Sequence, residues 1–145
     1  MKKKTKLFLI IFLFLNLANM TSAKDNLFEE GEKKYIEKKY DEAKFLFQRN
    51  IVFNPKNAGS YLYLAKIFNF EKNEKEEEKN LNTTVLLEPE NEEAILMLME
   101  ISLKKSNYSK VKDLSKTFSR ICNKLCKKNE EILNSLKNIE PKNES

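Results

Sequence analysis

"NPKN" at residues 54–57 and "EPEN" at residues 88–91 are two copies of one punctuation mark. Each follows a segment that ends in bulky apolar residues, Ile51-Val52-Phe53 before the first and Val85-Leu86-Leu87 before the second. The prolines, Pro55 and Pro89, stand 34 residues apart. Proline cannot continue a helix but suits the first turn of the next one. Each copy therefore marks a joint between two helical segments.

Outward from these joints the apolar residues recur at helical spacing. A segment from about residue 25 to 37 places Leu27, Phe28, Gly31, Tyr35 and Ile36 on one side. The next, from about 41 to 53, does so with Ala43, Leu46, Phe47 and Ile51. The pattern returns after Pro55 with Tyr61, Leu64, Ala65 and Phe68, a polar turn at 71–74, then Leu81, Thr84, Val85 and Leu87. It returns again after Pro89 with Ile95, Leu98, Met99 and Ser102, a break at Ser106-Asn107, then Val111, Leu114, Phe118 and Ile121. Only 2 glycines and 3 prolines occur in 145 residues. A β-rich domain needs turn residues at far shorter intervals, so the fold class is all-α.

A helix-turn-helix unit repeated every 34 residues is similar to the tetratricopeptide repeat family. The strongest match is Gly31, Tyr40-Asp41-Glu42-Ala43, Phe47 and Pro55. Gly31 and Ala43 are the small residues that let two helices approach, and Tyr40 and Phe47 are the aromatic wedges. The second unit matches at Tyr61, Leu64, Ala65, Phe68, Leu81 and Pro89. It departs at Glu77, where a small residue is usual, which predicts a wider gap between its helices. In the third unit Leu98 and Asn107-Tyr108 match, Val111 replaces the small residue, and no proline closes the repeat. The resemblance implies a right-handed α-solenoid of about three repeats, at about 24–57, 58–91 and 92–125. A chance helical bundle is the alternative. Stacked repeats need a terminal cap. Residues 127–139 provide an amphipathic one, with Ile132, Leu133, Leu136 and Ile139 opposite Lys128, Glu130, Glu131, Asn134 and Lys137. Residues 140–145 form a polar tail.

The chain opens with a different kind of segment. Lys2, Lys3, Lys4 and Lys6 precede an apolar run from Leu7 to Ala18, followed by Thr21-Ser22-Ala23. This is the layout of a secretory signal peptide cleaved after Ala23. The run is shorter than the ~20 residues a membrane span needs, and an uncleaved N-terminal anchor is the alternative. The formal charge of +5 owes four units to those lysines, so residues 24–145 carry +1. A basic footprint for nucleic acid is therefore missing. The expected location is the periplasm or cell envelope, or secretion, with membrane contact only through an uncleaved leader.

Cys122 and Cys126 are the chain's two cysteines. Adding the period to Pro89 falls on Asn123, so the pair brackets the place of the next turn. Across a continuous helix their Cβ atoms would lie about 5–6 Å apart, too far for a disulfide, which wants about 3.5–4.5 Å. A turn at Asn123-Lys124 allows the bond, since Asn tolerates the left-handed conformation that ends many helices. An oxidising compartment favours pairing. Two unpaired thiols, or metal or redox chemistry, are the other readings. The chain has no histidine, which removes the usual zinc ligands, the usual general base and the hydrolase triads. No Gly-rich phosphate loop is present. Met97 and Met99 point different ways on a helix and read as core rather than a copper site. No cofactor, no metal and no catalytic residues are expected.

In the family that the chain resembles, the first helix of each repeat lines a concave surface that binds peptides or proteins. Geometry assigns that surface to Phe28, Glu32 and Tyr35, then Leu62, Tyr63, Lys66 and Phe70, then Met97, Glu100 and Lys104. The alternative for each is packing against a neighbouring repeat. The expected function is a non-enzymatic protein-interaction or scaffold module that binds a protein or peptide. A thiol-active envelope protein using Cys122 and Cys126, or a self-associating module, are the rival readings.

Overall fold

The computed structural model describes residues 26–139. The leader and the polar tail lie outside these residues. Two compact units follow one another along the chain, up to Pro55 and from Lys56 onward. The first holds α1 (Leu27–Ile36) and α2 (Tyr40–Phe53). The second holds α3 (Ala58–Phe70), α4 (Glu74–Leu87), α5 (Glu92–Lys104), α6 (Tyr108–Ile121) and α7 (Cys126–Ile139). There is no strand among the described residues, and no helix there is long and apolar enough to cross a membrane.

The 34-residue period is written into the backbone. Among the described residues the positive-φ positions are Lys38, Lys72 and Ser106, at 60°, 57° and 57°. Each follows the first helix of a pair. The next residue donates its N–H five residues back: Lys39 to the Lys34 carbonyl, Asn73 to Phe68 and Asn107 to Ser102. This is the bond of a Schellman ending, usually built on glycine. Here lysine and serine accept a left-handed conformation that costs about 1–2 kcal/mol.

Asparagine opens four of the five helices of the second unit. The side chains of Asn57 and Asn91 accept from the N–H of Ser60 (2.7 Å) and Ala94 (3.0 Å) at the starts of α3 and α5. Asn73 and Asn107 do the same at α4 and α6, from Glu76 (3.3 Å) and Lys110 (3.2 Å). Each satisfies one orphan donor and stabilises its helix by about 1 kcal/mol.

In the first unit Gly31 lies against Phe47. A Cβ on Gly31 would come within 2.7 Å of the Phe47 ring. Phe47 and Ala43 are fully buried, and the rings of Phe28 and Phe47 meet at 5.8 Å.

In the second unit α3 packs on α4, α5 on both α4 and α6, and α7 on α6 and α5. One core cluster joins Leu62, Ala65, Leu81, Ala94, Leu98 and Ile101. The other joins Ile95, Leu96, Met99, Val111, Phe118, Ile132 and Leu136. Each cluster draws on successive helix pairs, which is how repeats cover one another's apolar faces. Ion pairs of Lys105 with Glu74 (3.0 Å) and Glu78 (2.7 Å), and of half-buried Lys110 with Glu78 (2.8 Å), tie α4 to the α5–α6 turn.

Two expectations need correcting. Glu77 does not hold its helices apart: α3 packs on α4 as intimately as α1 on α2. The carboxyl escapes the gap by reaching Asn69, whose Nδ2 donates to it at 2.8 Å. Nor does Asn123 adopt a left-handed conformation. Cys122 leaves α6 with ψ 134°, and this extended step makes the turn.

Ala43→Leu adds volume where Ala43 has none to give. It should destabilise the first unit by about 1–3 kcal/mol, read as a lower thermal midpoint. Phe45→Ser, at a side chain 61 % exposed, should change stability by no more than about 0.5 kcal/mol.

Candidate protein-binding groove

The first helices of the second unit present facing stripes. On α3, Leu62, Lys66 and Asn69 follow at four- and three-residue steps. On α5, Glu93, Met97, Glu100 and Lys104 do the same. Such steps place residues on one helix face. An ion pair of Lys66 with Glu93 at 2.8 Å spans the two stripes. Lys66 also sits over the Tyr63 ring, 4.8 Å from its centroid. One end of the groove is thus neutralised and braced internally.

The other end differs. Beneath Asn69 lies the Glu77 carboxyl from α4, with the residue only 4 % exposed. Burial raises it above its ordinary value, and the Asn69 hydrogen bond and Lys104 only partly oppose this. Glu100 and Lys104 are exposed.

The expected surface residues divide. Leu62 is buried in the core cluster with Ala94, Leu98 and Ile101, and Met97 packs against it. These two hold repeats together. Tyr63 and Lys66 are half-buried, and Phe70, Glu100 and Lys104 are exposed. In the first unit Phe28 packs on Phe47, and Tyr35 meets Tyr40 at 5.4 Å. Both serve the α1–α2 pairing, and Glu32 is half-buried beside them in sequence. Periodicity missed Asn69, Glu77 and Glu93. Only Glu77 left a mark in the sequence, as a charge in a small residue's register.

A second polar device closes the unit. Glu92, at the start of α5, accepts three consecutive backbone N–H groups: Asn123 at 2.7 Å, Lys124 at 3.2 Å and Leu125 at 2.8 Å. Burial alone would raise its carboxyl, but these donors hold it below the ordinary value. One repeat earlier, Ala58 occupies the register of Glu92, and Pro89 that of Asn123. The third repeat lacks its proline because Asn123 must supply an N–H, which proline has not got. Around this clamp the Cys122 and Cys126 sulfurs meet at disulfide distance, with the Cα atoms 5.3 Å apart. An open cleft of about 730 Å³ adjoins the clamp, walled by residues 88–93 and 124–125. It shares with the groove only Glu93.

No family model matches the chain, and no curated protein does. Solved structures match well. The fold is that of a tetratricopeptide-repeat domain. The Yersinia enterocolitica type III secretion chaperone SycD, in complex with a peptide of the translocator YopD, aligns with TM-score 0.72 and 15 % identity, covering 81 % of this chain and 94 % of that one. The Arabidopsis OM64 TPR domain gives 0.69 and 18 %, over 81 % and 96 %. The first TPR of Spaghetti, bound to the HSP90 peptide SRMEEVD, gives 0.68 and 18 %, over 79 % and 90 %. At such identity the likeness is one of fold, and it rests on the TPR helix pairs described above.

Because the folded carboxyl of Glu92 titrates below its ordinary 4.5, the clamp stabilises the fold above that pH. Its contribution disappears as pH falls through the lower folded value. Glu92→Gln should flatten this part of the acid-unfolding curve. It should also speed amide exchange at Asn123 and Leu125, measured by NMR, while Ala43 stays protected.

Proposed function

We propose that this chain is a non-enzymatic protein-interaction module that holds a peptide or partner protein along the α3/α5 groove. One observation carries the reading. Two facing first-helix stripes leave Tyr63, Lys66, Phe70, Glu100 and Lys104 at the surface, above a core that fixes both helices. Aromatic and aliphatic groups ringed by charge suit protein recognition. TPR-fold structures that hold a YopD peptide or an HSP90 peptide support it by analogy of architecture. Of the exposed carboxylates on the α5 stripe, Glu93 is engaged by Lys66.

The same proposal places the protein in the periplasm or cell envelope, with residues 1–23 as its export leader. The lysine-rich start and short apolar run support this. In that compartment Cys122 and Cys126 form a structural disulfide that holds the 123–125 turn against Glu92. The Cα spacing of 5.3 Å supports the bond, and closing so short a loop stabilises by about 2 kcal/mol in the chain-entropy model.

Photo-crosslinking in cells tests the groove. A crosslinker at Tyr63 or Lys104 should capture partner proteins, and one at exposed Lys75 on α4 should not. Equal capture from all three would sink the reading. Intact mass of the native protein should begin at or near Lys24 and show no alkylatable thiol before reduction. Replacing both cysteines by serine should lower stability by about 2 kcal/mol and leave capture at Tyr63 unchanged. If that variant is fully stable but functionally dead, the thiols act chemically instead.

A further inference from the structure

Nothing in the sequence from Ile121 to Cys126 stops a helix: the stretch holds neither proline nor glycine. Yet α6 ends at Ile121 and α7 begins at Cys126. The last bond of α6 runs from the Cys122 N–H to the Phe118 carbonyl. In a continuing helix the next donors would be the N–H groups of Asn123, Lys124 and Leu125, each bonding four residues back. Those are the three groups that Glu92 takes, at 2.7, 3.2 and 2.8 Å. A carboxylate from α5 thus stands in for the next turn of α6.

The cysteines hold the same turn from its two ends. Cys122 is the residue on which α6 closes and Cys126 the first of α7, with their Cα atoms 5.3 Å apart. In one continuous helix the two Cβ atoms would lie about 5–6 Å apart, beyond the about 3.5–4.5 Å of a disulfide. The bond and an unbroken helix therefore exclude each other, and so do the Glu92 grip and an unbroken helix. Both cysteines are half-buried, within reach of a small reductant. The charged groups that wall the cleft with Glu92 are Glu88, Glu90, Glu93 and Lys124. Three acids and one cation give a carboxylate no net help, so its hold comes from the N–H groups and is lost on protonation. Beyond this turn α7 is seated by Ile132 and Leu136, beside the buried Asn129 with its unpaired Oδ1.

We propose that the 122–126 turn is a latch: Glu92 and the Cys122–Cys126 disulfide together keep α7 folded back on α5 and α6, and when both let go α6 and α7 join into one straight helix. The latch rests on the disulfide of the proposed function. Each hold fixes the conformation that the other needs, so the two strengthen one another reciprocally. Closing the bond takes two electrons and two protons from the thiols; an external disulfide accepts both and leaves as two thiols, and a dithiol reverses the exchange. Glu92 is a positioning residue for that exchange, because the turn it holds keeps the second thiol beside the mixed disulfide. Straightening lifts Ile132 and Leu136 off Ile95, Met99 and Phe118. An apolar face at the end of the repeats is then uncovered only where acid and reductant coincide.

Equilibration of the full chain with dithiothreitol tests the coupling. Glu92→Gln should make the bond about tenfold easier to reduce, a usual size for coupled sites. Glu90→Gln, at an exposed neighbour on the same cleft, should leave it unchanged. Carbon chemical shifts then read the turn. With Glu92→Gln and reduction combined, Cys122 should pass from extended to helical shifts, and α7 amides should exchange faster while those of α3 stay protected. Either change alone should leave Cys122 extended. If Glu92→Gln fails to fold, the wild-type chain serves: the Glu92 carboxyl should titrate higher when the protein is reduced. A reduction equilibrium equal in Glu92→Gln and wild type, a Glu92 titration equal in both redox states, or a Cys122 still extended with both holds gone overturns the latch and leaves the disulfide standing. Alkylatable thiols in the native protein overturn both.

Discussion

Every helix pair depends on one residue held on the wrong side of the Ramachandran map. Lys38, Lys72 and Ser106 each stop a first helix in the left-handed conformation and turn the chain back on itself. Without that reversal the apolar stripe of the first helix would meet no partner stripe. The backbone bonds that close each turn repeat atom for atom, from Lys39, Asn73 and Asn107. Because the strain is local and small, burial of residues such as Phe47, Ile67 and Met99 easily outweighs it.

The second unit shows what happens when apolar packing meets charge. Leu62, Ala65, Leu81 and Leu98 define where α3, α4 and α5 sit. Glu77 then has to live in a space that suits alanine or valine, and it does so by leaning outward to Asn69. A different compromise occurs under α7. Asn129, in the register of Tyr61 and Ile95, is buried, and among the described residues its Nδ2 donates to Ser119 Oγ. Its Oδ1 is buried and unpaired. The cap is therefore seated by Ile132 and Leu136 on one side and by a polar contact on the other, and it adheres less firmly than an all-apolar seam would.

How much of this was legible in the sequence differs from residue to residue. Pro55 and Pro89 fixed the joints, since proline's missing donor and locked φ leave few alternatives. The small residues Gly31 and Ala43 announced a close contact. The left-handed turns were invisible, because Lys and Ser carry no signal for φ > 0. The asparagine caps could have been read from Asn57, Asn73, Asn91 and Asn107, each of which stands directly before the first residue of a helix. The groove was only half legible. Helical spacing assigns a face but cannot say whether Leu62 or Tyr63 is the one a neighbour covers. The Glu92 clamp could not be anticipated, because a carboxylate that binds main-chain N–H groups imposes no pattern on the side chains it holds.

That last property has an evolutionary side. A grip on amide hydrogens is blind to side-chain identity, so the exposed positions 123 and 124 can drift through almost any residue except proline without loosening it, while Leu125 is held as well by its packing on the core. The surface there is free to diversify while the joint beneath it stays constant. Descendants of this chain could acquire new contacts at that corner without rebuilding the fold.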